Sequence, residues 1–412
     1  MQRTTNNEQR TNSDRPQLRP YLAVTPDDRD PRFVVLWDKL ALAPEPLRIS
    51  LAEFCWLQQF DGRRTLRDVQ AEAMSQAGGE LLPLDLFTSL VTKLEQALFL
   101  DGPIFRAKLD GPIREPSCIG CYPAHTAALR NHMRALFMGP NGPGLPDKPK
   151  ADGSLRAALL PHIDYARGGT TYACGFKEIF ERAEASLFVI IGTSHYSMQR
   201  FTLTRKNFKT PLGIVATDQD YINRLVKHYG DGLFDDEMAH LPEHSIELEV
   251  VFLQYLYEKQ RDIRIVPLVV GSFQDAIDIG HSPKEQPDIK KMMKALRKVE
   301  AETKEPIFYI ISGDLAHIGS KFGDRKRVEA DELKHSRLKD EALLKHAENA
   351  DLEGFYRLIA EEKDRRRICG LPPAYTLLEA IRPSRGKLLH YDQYVHPRGA
   401  ESVSFASVAF YK

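Results

Sequence analysis

Apolar and polar positions change period several times along the chain. In ISLAEFCWLQQF (49–60), Leu51, Phe54, Cys55 and Trp56 fall near one helical face. The next stretch, 61–74, opens with a turn, and Thr65 is placed to cap the helix that follows. PLDLFTSLVTKLEQAL (83–98) sets Leu86, Leu90, Leu94 and Ala97 three or four residues apart, the spacing of a third helix. LFLDGPIF (98–105) reads as a hairpin around Asp101-Gly102. Three helices followed by a hairpin predict a small winged-helix domain over 21–105. The polar stretch 1–20 reads as a disordered tail, and the Pro- and Gly-bearing 106–117 as a linker.

Beyond a helix expected at 123–137 and a Pro/Gly break at 139–150, the pattern changes again. Short apolar runs at 156–163, 186–195, 263–271, 307–317 and 402–411 predict strands. They alternate with helical stretches at 244–260, 287–302 and 328–349, so residues 118–412 form an α/β domain.

Charge narrows the functions. The 412 residues hold 57 Lys+Arg and 57 Asp+Glu, a balance that excludes attraction to nucleic acid by bulk charge. Residues 21–101 are acidic, with eight cations against thirteen acids, so the winged helix is read as docking a partner rather than DNA. No apolar run approaches the roughly 18–20 residues of a membrane span, and the N-terminus has no apolar signal-like core, so the expected compartment is the cytoplasm. Five cysteines make no disulfide framework. Cys118 and Cys121 form a lone CxxC, too few thiols for a zinc site, and read as chance or simple redox sensitivity.

Three apolar runs end in histidine: LLPHID at His162, VIIGTSH at His195, and YIISGDLAH at Asp314 and His317. Ligands of open α/β sheets collect where strands end. Imidazoles delivered there from separate strands point to a metal or acid–base site. Candidates for a third donor are Cys369, Asp314, Glu243 and Glu247, and the cations Arg365–Arg367 beside Cys369 favour its thiolate. PEHSIELE (242–249) places His244 at a helix start, and EEKDRRR (361–367) reads as a solvated helix face.

These segments resemble a known family. LPHIDYARGGTTYACGF is similar to the "APHAGYxYSG" segment of the Memo family, IIGTSHYS to its "GPSHH", and LPEHSIELEVVFLQY to its "EHSIExxLPFLQ". IISGDLAHIG is similar to its "SSDxSHYG", RRRICGLPPAYTLLEA to its "CGxxPxxxxLxA", and CYPA (121–124) stands where "FYPA" is common. The N-terminal region more loosely resembles PqqD-like winged helices. The resemblance implies a mixed sheet flanked by helices, the fold of class III LigB-like extradiol dioxygenases. It also implies the role of AmmeMemoRadiSam system protein B, working beside a radical-SAM protein and an AMMECR1-like protein.

Carried over by position, it makes His162, His195 and Cys369 the holders of one transition-metal ion. His317, Asp314 and His244 become the catalytic residues, with His317 as acid/base oriented by Asp314. The thiol departs from the dioxygenases' two-His, one-carboxylate set and favours zinc or copper, with iron the third candidate. Tyr196 replaces the second His of "SHH", and Asp164 stands near His162 as an acceptor for it. The functions implied are a metal-dependent oxidoreductase, a peptide- or partner-binding module using the same cleft, and a zinc-dependent hydrolase.

Overall fold

The computed structural model describes residues 14–150 and 153–412, which fold as two compact units divided between Gly111 and Pro112. In the first unit an antiparallel sheet of β1 (Leu22–Pro26), β2 (Phe33–Asp38) and β3 (Leu47–Ser50) precedes the helices α1 (Leu51–Leu57), α2 (Leu66–Gln76), α3 (Leu84–Gln96) and α4 (Pro103–Asp110). Thr65 caps α2 as expected, in a reciprocal box with Asp68, and Ser50 and Glu53 do the same for α1.

The hairpin expected at 98–105 is not formed. Leu100 bridges to Leu18, and Pro103 opens α4 within the stretch read as hairpin, the helix running on to Asp110 in the stretch read as linker. Proline at a first helical position loses no hydrogen bond, so Asp101-Gly102 leads into a helix rather than a reversal. The strands therefore come before the helices. The core faces also differ. Leu51, Cys55 and Leu86 are exposed, whereas Leu57, Phe60, Phe87, Leu90, Val91 and Leu94 are buried. Of the tail expected over 1–20, residues 1–13 lie outside the described residues, and Gln17 and Leu18 bridge to Asp61 and Leu100.

The second unit contains, in order, β4 (Ile113–Arg114), α5 (Thr126–Met138), β5 (Leu155–Leu160), α6 (Tyr165–Arg182), β6 (Leu187–Thr193), β7 (Phe201–Leu203), β8 (Asn207–Thr210) and β9 (Gly213–Thr217). There follow α7 (Gln219–Tyr229), α8 (His244–Tyr257), β10 (Arg264–Val270), α9 (Gln274–Ile279), α10 (Pro287–Glu302), β11 (Ile307–Ser312) and β12 (His317–Ile318). Last come α11 (Ala330–Glu348), α12 (Leu352–Glu361), α13 (Leu371–Ile381), β13 (Arg385–Val395) and β14 (Ser402–Tyr411).

Its mixed sheet runs β12-β14-β5-β11-β6-β10-β9-β8-β4, with β13 paired to β14 and β7 to β10. The centre, β5-β11-β6-β10, is parallel. These four strands read as unbroken apolar runs because both faces are covered. Leu159, Val189, Ile191, Val266 and Ile311 pack against α7, α10 and α13. Leu160, Phe188, Ile190, Val269 and Ile310 pack against α5, α6 and α8. Among the described residues no helix is long and apolar enough to cross a membrane.

Being parallel, β5, β6 and β11 end on the same edge. His162, His195 and Asp314 each lie two residues past their strand, at Leu160, Thr193 and Ser312. The sheet topology alone thus gathers residues 33 and 152 positions apart in the chain.

Candidate functional site

Each strand end turns out into a cleft of about 320 Å³, lined by His162, His195, His244, Asp314 and His317 together with Cys118 and Cys121. His162 is almost fully buried, and its backbone N–H donates to Asp314 Oδ1 at 3.0 Å. The rings of His162 and His195 are 5.0 Å apart, those of His162 and His244 5.2 Å, and those of His195 and His244 4.6 Å, stacked. Ligand nitrogens of these three residues all lie within 4.8 Å of one another. His244, expected in the pocket as a catalytic residue, thus stands in the tightest donor group.

The second elements behind the imidazoles set their tautomers. Glu243 is the N-cap of α8 and accepts from Ser245 N–H at 3.0 Å. It also accepts from the backbone N–H of His195 at 2.8 Å and from its Nδ1–H at 2.9 Å. Burial works against the Glu243 carboxylate, but His195 and His244 beside it hold it far below the ordinary carboxylate range. An ionised acceptor on Nδ1 turns Nε2 of His195 toward the cleft, the arrangement by which carboxylates orient metal-binding imidazoles. Burial lowers the basicity of His195, and Glu243 more than reverses it, so its proton is held above the usual histidine range.

The other imidazoles are neutral at ordinary pH. Burial first and the charges of His195 and His244 second push His162 well below its normal value. Burial likewise lowers His244 and His317 to about 4. His317 Nδ1 faces the carbonyls of Leu315 and Arg367 at 3.1 and 3.0 Å, so it donates and turns Nε2 outward as a base. Those carbonyls, rather than Asp314, orient His317. Asp314 is spent on the His162 backbone, and burial raises its carboxyl to about 7.

Cys369 reaches the same place through glycine. A Cβ on Gly313 would overlap the Cα of Gly370, and Gly370 N–H donates to the Asp314 carbonyl at 2.9 Å. This backbone-to-backbone approach, just ahead of α13, sets Cys369 Sγ 3.2 Å from His162 Nε2 and 3.6 Å from the Asp314 carbonyl. Gly313→Ala is expected to destabilise the chain by about 1–3 kcal/mol in urea titration. Cys369 should also be alkylated faster, because the strand end and the thiol turn must part.

Several expectations are corrected. The cations near Cys369 do not face it: Arg366 is buried against Asp340, and Arg367 pairs with Asp324. Lys363, Asp364 and Arg367 take positive φ after α12 ends, so EEKDRRR is a tight turn and not a solvated helix face. Burial, then the Asp314 charge, pushes the Cys369 thiol well above its usual value. Asp164 caps α6 and pairs with Arg167 at 2.5 Å instead of supporting His162. Glu247 is no donor for an ion. It is consumed by Arg114, Tyr122 Oη–H, the Ser117 N–H at 2.9 Å and the Cys118 N–H at 3.1 Å.

This hub was not foreseen from sequence, since nothing around Arg114 hints at a partner on α8. Arg114 also donates to the carbonyls of His240 at 3.0 Å and Glu243 at 2.6 Å, which fixes the start of α8 and so His244. Gly192 completes the fit, for any Cβ there would strike Ser245.

Comparison with known proteins agrees with the five ordered segments. A model of the Memo-like protein family matches residues 114–409. A MEMO1 family protein of Aquifex aeolicus (strain VF5) is 27% identical over 368 residues, covering 86% of this chain and 90% of its own length. One from Thermococcus onnurineus (strain NA1) is 29% identical over 314 residues, 73% of this chain and 100% of its own. One from Thermococcus kodakarensis is 30% identical over 273 residues, 63% of this chain and 88% of its own. The Aquifex match takes in more residues than Pro112–Lys412 contains, so that likeness enters the N-terminal unit.

Proposed function

Because the chain belongs to the Memo-like protein family, we propose that its cleft binds one transition-metal ion and serves a metal-dependent oxidoreductase reaction on a small substrate. His162, His195 and the Cys369 thiolate hold the ion, with His244 as the adjoining fourth donor. The observation that carries this reading is the convergence of three imidazoles with ligand nitrogens within 4.8 Å, His162 and His195 from the ends of parallel strands and His244 from the start of α8.

The donor set suits the group. His162 and His244, kept neutral by burial, offer lone pairs without first losing a proton, whereas His195 releases its Nε2 proton as the ion binds. Among the described residues, the buried Nδ1 of His162 meets no hydrogen-bond partner, and its Nε2 lies 3.2 Å from the Cys369 thiol and 3.8 Å from Asp314 Oδ2. A thiolate beside imidazoles favours copper or zinc and also serves iron. When bound, such an ion supplies Lewis acidity or an electron to a substrate in the cleft. His317, neutral above about pH 4 with its Nε2 outward, takes or returns the substrate's proton. Glu243 keeps His195 in one tautomer and orientation throughout.

Elemental analysis of untagged protein, reconstituted anaerobically with iron, copper or zinc, is expected to give about one ion per chain. The His162→Ala, His195→Ala double variant should fall to background. Glu243→Gln, which removes no donor, should weaken binding roughly 10–100-fold. Equal metal content in wild type and double variant, or none in either, would overturn the reading. Circular dichroism shows whether the variants fold.

A further inference from the structure

We propose that Cys118 and Cys121 form a redox-active disulfide that exchanges with thiol substrates entering the histidine cleft. The two sulfurs are bonded to each other, three positions apart, and both residues line the same cleft as His162, His195 and His244. The inference goes beyond metal binding and does not depend on it.

The loop around the bond is held by other means. Ser117 and Cys118 donate their backbone N–H groups to buried Glu247, Tyr122 Oη–H reaches the same carboxylate, and Tyr165 N–H donates to the Cys121 carbonyl at 3.2 Å. Gly120, at φ +111°, supplies the turn that lets Cys121 N–H return to the Cys118 carbonyl at 3.0 Å. A disulfide that closes so short a loop restrains the unfolded chain least of all. Here it joins residues already fixed by a buried ion pair, so a purely stabilising role explains little of it.

Access is graded in the way exchange requires. Cys118 is 9% exposed and Cys121 is half-buried at the cleft wall, next to exposed Ile119. A substrate thiolate attacks Cys121 Sγ. The S–S bond breaks, a mixed disulfide forms, and Cys118 leaves as thiolate. A second substrate thiolate attacks the substrate sulfur of that mixed disulfide, releasing substrate disulfide and the Cys121 thiolate. Two substrate thiols lose two electrons and two protons, and the protein disulfide gains the two electrons, its thiolates taking up the protons. The reverse sequence reduces a disulfide. Because the loop is fixed by Glu247, both sulfurs stay within reach of each other after reduction, which keeps ring closure fast.

The test uses the full chain stripped of metal with a chelator, so that it succeeds or fails independently of the metal reading. The protein is equilibrated natively in glutathione buffers of graded ratio, alkylated, and mapped by peptide mass. The Cys118–Cys121 peptide should pass from bonded to doubly alkylated in a single two-electron transition, with unchanged near-UV circular dichroism. In Cys118→Ser, Cys121 should gain one glutathione faster than exposed Cys55 does. A bond that resists glutathione and dithiothreitol until the chain is unfolded would overturn the proposal in favour of a structural crosslink. Two free thiols at every ratio would overturn it as well, as would a Cys121 slower than Cys55 in a folded Cys118→Ser variant.

Discussion

Arg114→Ala is expected to lower the stability of the second unit by about 3–5 kcal/mol, read as a lower urea midpoint with little change in slope. Both Arg114 and Glu247 are fully buried, and the guanidinium also satisfies two carbonyls and the Ser117 hydroxyl. Removing it strands a carboxylate in the interior, along with the carbonyls of buried His240 and Glu243. Burial already works against the Glu247 charge, and the Arg114 guanidinium is the largest influence offsetting it, so the loss should grow as pH rises and the carboxyl ionises. Joint replacement, Arg114→Met with Glu247→Leu, should cost less than Arg114→Ala alone, since it leaves no unpaired charge. A single variant within about 1 kcal/mol of wild type would show that the hub is not a stabilising ion pair.

Acid should destabilise the metal-free chain steeply between pH 6.5 and 4. His240, His244 and His317 are each lowered to about 4, burial being the largest cause, and His162 is also lowered. In the unfolded chain these groups take up protons as pH falls below about 6.5. The folded protein refuses them until about 4, so their stabilising effect is complete above 6.5 and is lost through that window. A shift of this size corresponds to at most roughly 3 kcal/mol per group. His195 runs the other way. Its folded value is raised, so its contribution is present below about 6.5 and fades as pH rises through that raised value. Glu243 is depressed, and its contribution is present above about 4.5 and lost only in stronger acid. Urea midpoints at pH 8, 6.5 and 5 with chelator present should fall sharply only at the last. His240→Gln, which can still donate to the Thr202 carbonyl that His240 Nε2 meets at 3.0 Å, should flatten part of the fall. A midpoint constant from pH 8 to 5 would refute the assignment of neutral buried imidazoles.

Much of the site was legible because the parallel strands are buried on both faces. Their apolar runs stop at Leu160, Thr193 and Ser312, and the polar residues just beyond must leave the sheet on one side. His162, His195, Asp314 and His317 were found that way; Cys369 stood out as a candidate third donor and His244 as a helix-start residue, and the resemblance gave each its role. The N-terminal unit was less legible. In α3 the period of Leu86, Leu90 and Leu94 fits a helix, but Phe87, packed against Trp56 of α1 with ring centroids 4.4 Å apart, is buried while Leu86 is exposed. The Asp101-Gly102 pair favours a turn, and Pro103 decides that a helix follows.

By itself, the sequence determined the α/β class of residues 118–412, the family, and the set of polar side chains that strand ends deliver to one edge. These depend on local pattern and period. Tertiary structure decided which of those groups meet. Gly313 against Gly370 carries Cys369 to His162. The Arg114–Glu247 pair fixes the start of α8, where His244 stands beside His195, and it brings Cys118 and Cys121 to the cleft wall. Such contacts join distant segments through buried backbone and unscreened charge. Their existence depends on which surfaces exclude water, and only the folded chain settles that.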